Sequence, residues 1–285
     1  MRTESFLALN PQGFHRVVYR EWGARENERV LVCVHGLVRN SRDFDEVARA
    51  LSRDYRVVCP DVVGRGDSDW LPPGATYQVQ QYVSDMTALL ARLNVEKVDW
   101  LGTSMGGMIG MAMAALPGSP IEHLVLNDVG PSISRAALKR IGEYVGRAPL
   151  FQDHAEVEAY LRSVYPAFDG IEPRLWQQLA RHASRETEDG KLALAYDPAI
   201  GEHLRQAADE AVELWDLWEQ VSCPQLLFWG EESDVLSAET VARMQATRPD
   251  SLTLSAWPGI GHPPSLMEPA QIKVLVEWLR TQRAA

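Results

Sequence analysis

Strand-like and helix-like segments alternate along most of this chain, and the alternation breaks once, in the middle. Residues 14–22 and 29–35 alternate or run apolar with β-branched side chains, as strands do. A helical pattern follows Ser41 (Phe44, Val47, Ala48, Leu51), with Ser41 placed to cap it. Residues 55–59 form a short strand closed by Pro60, and 77–93 carry one apolar helical face. A strand at 96–102, an almost uncharged helix at 104–116 and a strand at 121–128 come next. The rhythm resumes with a strand at 225–229, a helix at 238–247, a strand at 251–257 and a closing helix at 270–282. Repeated strand–helix units predict an α/β fold, a mostly parallel sheet with helices on both faces. At 285 residues and 46% apolar composition, the chain suits one large domain with an insertion.

Between these two runs, residues 131–221 show no convincing strand. Helical segments are expected near 134–146, 155–164, 172–184 and 203–218, separated by Pro149, Pro166, Pro173 and Pro198. The expected organisation is a core of 1–130 and 222–285 with a helical cap at 131–221. An insertion after a strand end lands beside the carboxyl ends of the sheet, where open α/β folds bind ligands, so it is a candidate lid.

The sharpest chemical signal is Gly102-Thr103-Ser104-Met105-Gly106, between a predicted strand and a predicted helix. The five-residue pattern alone arises by chance; its setting makes it specific. A sharp strand-to-helix turn strains the serine backbone, and glycines two residues either side let the two elements pass without Cβ clashes. The hydroxyl then stands clear of the sheet, beside a helix N-terminus that favours developing negative charge. Ser104 is the candidate nucleophile.

A serine hydroxyl needs a base. Of seven histidines, only His262 lies beyond the insertion, in a turn-rich loop before the last helix, where the order serine, acid, histidine requires it. The acid is expected on a loop after a strand between them. Asp234, in Gly230-Glu231-Glu232-Ser233-Asp234, is the preferred choice, to accept the imidazole N–H and fix the tautomer. Asp128, at the end of the preceding strand, is the alternative acid. Backbone N–H groups of Met105 and Leu37 are the expected oxyanion donors, with Gly36 permitting close approach. His35 reads as structural.

His35-Gly36, the run Asp61-Val62-Val63-Gly64-Arg65-Gly66-Asp67-Ser68, the serine turn and Gly261-His262 together resemble the α/β-hydrolase superfamily. They are like its branch of esterases, enol-lactonases and carbon–carbon bond hydrolases. The resemblance covers nearly the whole chain and implies the α/β-hydrolase fold with a helical cap. It also implies that Asp61, Gly64, Gly66 and Ser68 shape a loop near the site. Serine at the turn argues against the epoxide hydrolases and haloalkane dehalogenases, which carry aspartate there.

The expected activity is hydrolysis of small to medium carboxylic esters or lactones through an acyl-enzyme. A carbon–carbon bond hydrolase acting on a diketone and a ligand receptor on the same scaffold are the alternatives. Met108, Trp229 and Trp176 are candidate pocket residues, and Arg39 is either a carboxylate ligand or a solvated surface residue. No cofactor or metal motif appears, so the expected partners are an ester substrate and water. A net charge of −11 disfavours nucleic acid and anionic membranes. Three sparse cysteines without metal spacing and no signal-peptide pattern point to the cytoplasm. The sequence leaves oligomeric state open.

Overall fold

The computed structural model describes residues 1–207 and 211–282. Its large sheet has eight strands: β1 (Arg2–Asn10), β2 (Gly13–Trp22), β3 (Val30–Val34), β4 (Arg56–Pro60), β5 (Val98–Thr103), β6 (Ile121–Asn127), and, after the insertion, two here named β12 (Gln225–Gly230) and β13 (Leu252–Trp257). Their spatial order is β1-β2-β4-β3-β5-β6-β12-β13. Pairing is parallel from β4 to β13, and β1 and β2 add antiparallel. The chain thus forms the expected α/β fold, a mostly parallel sheet between helices.

Side-chain alternation along the strands feeds two cores. Val30, Val32 and Val34 of β3 join one core, and Leu31 and Cys33 the other. On the first face lie α2 (Val79–Leu93), α3 (Met105–Ala114) and α9 (Ala238–Thr247), through Tyr82, Met86, Ile109, Val241 and Met244. The second face is closed by α1 (Asp45–Leu51) and α10 (Pro269–Gln282), through Leu51, Leu275 and Leu279, with Phe44 of the preceding turn. Strands β5, β6 and β12 lie side by side, so their carboxyl ends form one short ledge.

Between β6 and β12 the chain forms α4 (Arg135–Tyr144), α5 (His154–Val164), α6 (Pro173–His182), α7 (Ala199–Ala207) and α8 (Trp215–Trp218). The expected helix at 203–218 is divided: α7 begins earlier, α8 ends it, and residues 208–210 lie outside the described residues. The expectation of no strand in this stretch is corrected. Among the described residues, five strands of two or three residues occur: β7 (Ser132–Ile133), β8 (Leu150–Phe151), β9 (Ser184–Glu186), β10 (Leu192–Leu194) and β11 (Val212–Glu213). Two or three residues are too few to display an alternation. The N-terminal strand β1 also goes beyond the sequence reading. At the start of α1, Asn40 rather than Ser41 caps the preceding single turn, accepting from the Arg42 N–H. Ser41 is buried, and its hydroxyl accepts from Arg20.

His35, at the end of β3, is wholly buried. Its Nδ1 lies 2.7 Å from the Gly36 carbonyl oxygen, and its Nε2 accepts the Val62 N–H at 3.0 Å. These bonds require the neutral ring protonated at Nδ1, and burial pushes its pKa down from 6.5 to about 4. Because the folded value is the lower one, the unfolded chain binds the proton more readily. The contribution of neutral His35 is present above pH 6.5 and is lost as pH falls through about 4, amounting to roughly 3 kcal/mol. Urea unfolding of the wild type and His35→Gln between pH 7 and pH 4 is expected to show the stability gap narrowing as pH falls. A constant gap would contradict this assignment.

Candidate active site

Ser104 stands between β5 and α3 with φ of +50° and ψ of −113°, a backbone conformation side chains rarely adopt. The flanking glycines make the turn possible. A Cβ on Gly102 would meet the Gly106 carbonyl group at 2.2 Å, and one on Gly106 would meet the Val34 carbonyl oxygen at 2.0 Å. Bonds from the Ser104 N–H to the Asn127 oxygen (3.0 Å) and from the Trp100 indole N–H to the Gly106 oxygen (3.0 Å) secure the turn from both sides.

The hydroxyl of Ser104 lies 3.1 Å from His262 Nε2. On the other side of the ring, His262 Nδ1 lies 2.7 Å from Asp128 Oδ2. Donation from Nδ1–H to Asp128 leaves Nε2 free to accept the serine proton. Asp128 is fully buried, and its other oxygen accepts the Gly230 N–H at 2.9 Å.

The preference for Asp234 is therefore corrected: Asp128, the alternative, meets the histidine. After β12 the chain turns outward, with Ser233 N–H bonded to the Gly230 oxygen, and carries Asp234 to the surface. There its carboxylate forks onto Arg140, through Nε and through Nη2 at 3.0 Å. Asp128 directly follows β6, which lies between the serine strand and β12. A carboxylate directly after an apolar strand, rather than four residues beyond one, was the signal that pointed to it.

The Gly36–Leu37 loop lies against Ser104; a Cβ on Gly36 would sit 3.8 Å from Ser104 Cβ. Among the described residues the Leu37 N–H has no backbone partner, and Met105 begins α3. Arg65, which sequence reasoning missed, is wholly buried and touches both residues. It donates to the Leu37 carbonyl oxygen at 2.8 Å and sits 3.5 Å from the Met105 sulfur, while Tyr82 accepts from it at 3.0 Å. The 61–68 loop is held as the resemblance implied: Asp61 accepts from Arg20, from the Ser41 N–H and from the Asp67 N–H.

The cleft at Ser104 and His262 is walled by Leu37, Ile141, Val164 and Phe168, with Arg39 and Arg140 as its cations. Met108, Trp229 and Trp176 do not line it. Met108 and Trp229 pack against the main core, and the Trp229 indole donates to the Leu236 oxygen. Trp176 is buried under Phe168 with Arg162 across its ring, because the apolar face of α6 packs inward. Arg39 is not a solvated residue. It is buried, clamps Asp43 at 2.9 and 2.6 Å and lies 5.0 Å from the Tyr165 ring centre. Burial raises the phenol pKa values of Tyr144 and Tyr165, so both stay neutral at ordinary pH. Among the described residues no group of His, Cys, Asp and Glu is placed to hold a metal, and no helix is long and apolar enough to cross a membrane.

Two substitutions separate the acids. Asp128→Asn is expected to lower kcat on a p-nitrophenyl ester by about 10⁴-fold, through loss of the correct histidine tautomer. Asp234→Asn should remain within about tenfold of wild type, since its carboxylate makes only an exposed ion pair. The reverse ranking would restore Asp234 as the acid.

Comparison with known proteins follows the same lines. The chain is 47% identical over 274 residues to 3-hydroxybutyrate-oligomer hydrolase of Cupriavidus necator, covering 93% of each. It is 28% identical over 236 residues to 2-(acetamidomethylene)succinate hydrolase of Mesorhizobium japonicum, covering 82% of this chain and 81% of the relative. The crystal structure of a putative hydrolase from Rickettsia typhi superposes with a TM-score of 0.92 at 32% identity, over 99% of both chains. The α/β-hydrolase fold family matches residues 29–269. This chain is a hydrolase that belongs to the α/β-hydrolase fold family.

Proposed function

We propose that this enzyme hydrolyses short linear oligoesters of 3-hydroxybutyrate through an acyl intermediate on Ser104. The observation that carries the reading is the unbroken line of hydrogen bonds from Ser104 through His262 to Asp128, in a chain 47% identical to an oligoester hydrolase. Ser104 Oγ attacks the ester carbonyl while His262 Nε2 takes its proton. Asp128 holds the ring and stabilises the imidazolium. The oxyanion accepts the N–H groups of Leu37 and Met105, and His262 protonates the departing alkoxide. Water activated by the same histidine then frees the acid.

In this conformation the cleft holds about 50 Å³, room for a few waters and less than an oligoester needs. Residues 131–221 act as a lid that opens to admit substrate and closes to exclude bulk water. Three free cysteines, two of them buried, support a reducing, cytoplasmic setting. A relative that by name cleaves an oligomer of a hydroxy acid favours an ester over a diketone or a non-catalytic receptor.

The purified enzyme is expected to release 3-hydroxybutyrate from its dimer and trimer. Ser104→Ala should lower this turnover by about 10⁵-fold with the melting temperature retained. Turnover near the wild-type rate in the serine variant would refute the mechanism. Turnover of p-nitrophenyl esters without release from the dimer would refute the substrate assignment.

A further inference from the structure

Two arginines line the cleft at Ser104, and they differ in how their charge is met. Arg39 is buried, and Asp43, which also lines the cleft, takes its Nε and Nη2 in a fixed fork. That pair is locked and nearly neutral; breaking it would leave a buried charge uncompensated. Arg140 projects from α4, where it meets the Tyr144 hydroxyl, and its carboxylate partner is Asp234 on the loop after β12. The two side chains are 42% and 47% exposed. Solvent screens a half-exposed pair of this kind, so its carboxylate exchanges more readily than one held in the buried Arg39 fork. Arg140 is therefore the cleft cation free to take another carboxylate, and its fork matches one in two parallel hydrogen bonds.

The substrate class requires such a group. A 3-hydroxy acid oligoester ends in a free carboxylate, three bonds from the alkoxy oxygen of its last ester. When that ester lies at Ser104, the carboxylate sits on the leaving-group side, still close to the reacting carbon. On a protein of net charge −11, an apolar cleft would reject this anion without a local cation.

We propose that Arg140 binds the terminal carboxylate of the leaving hydroxy acid, and that Asp234 occupies the guanidinium in the empty enzyme. The assignment rests on the oligoester reading and deepens it. Arg140 selects free acids over neutral esters and directs cleavage to the ester nearest the carboxyl end. Asp234 holds the guanidinium over the cleft and is displaced as substrate enters.

The test compares the 3-hydroxybutyrate dimer with its methyl ester on the wild type, Arg140→Gln and Asp234→Asn. The wild type should prefer the free acid in kcat/KM, and Arg140→Gln should reduce that preference at least tenfold, chiefly by raising KM for the acid. Asp234→Asn should lower the same KM. An unchanged acid-to-ester preference in Arg140→Gln overturns the proposal, and so does a raised acid KM in Asp234→Asn. Should the wild type cleave neither dimer, the oligoester reading fails by itself. Arg140 is then judged by inhibition of p-nitrophenyl acetate hydrolysis by 3-hydroxybutyrate. At least a tenfold weaker inhibition of Arg140→Gln supports carboxylate binding at that residue, and equal inhibition of both enzymes overturns it.

Discussion

One buried carboxylate holds the site together. Asp128 has no exposed surface, follows β6 with a φ of +56°, and uses its two oxygens on two different segments. One takes the Gly230 N–H at the end of β12, and the other faces His262. Its own N–H donates to the Phe228 oxygen. A buried carboxylate without such donors is costly, so the fold is constrained to bring both segments to it. Gly230 answers the same constraint. A Cβ there would meet the Ile260 and Gly261 carbonyl oxygens at 2.5 Å, so only glycine lets the histidine loop lie this close to β12. The histidine is placed because the acid is satisfied.

The insertion is joined to the core unevenly. On one side it is stitched to the 61–68 loop by backbone bonds: Gly66 N–H to the Ala195 oxygen and Asp197 N–H to the Gly64 oxygen, with Tyr77 donating to the Asp197 carboxylate at 2.6 Å. That loop also carries Arg65, whose side chain holds Leu37. On the side of α4, the Arg140–Asp234 pair is half exposed and weak. The 61–68 loop is thus tied at once to the insertion and, through Arg65, to the Leu37 backbone beside Ser104.

The sheet was legible in the sequence because its central strands are short apolar runs that alternate with helical patterns. The serine and histidine were legible for another reason: each sits in a turn whose glycines have few alternative uses. The acid was harder. Asp128 and Asp234 both follow strands, and spacing cannot report that the loop after β12 turns outward at Ser233. Strand order decides the matter, since β6 lies beside the serine strand, and order is a tertiary property. The pocket tryptophans failed similarly. The pattern of α6 gives Trp176 an inward face, but inward within the insertion means beneath Phe168, not toward the cleft. Arg65 left no signal because a buried arginine satisfied by carbonyls and aromatic rings reads in sequence like an exposed one.

The placement of the carboxylate beside His262 bears on how charge is arranged around the cleft. Were the carboxylate at 234 the triad acid, the loop after β12 would have to fold inward, and Arg140 would lose the partner that now holds it. With the acid moved to β6, that loop is released from the chemistry and carries a carboxylate at the surface instead. One segment then meets two needs without conflict. Gly230, the last residue of β12, donates to the buried carboxylate, and Asp234, four residues on, neutralises the exposed cation. The carboxylate beside His262 is thus buried in the sheet and met by N–H donors. The carboxylate at residue 234 is half exposed and paired, so the two negative charges sit in opposite surroundings, one buried and met by donors, the other screened by solvent.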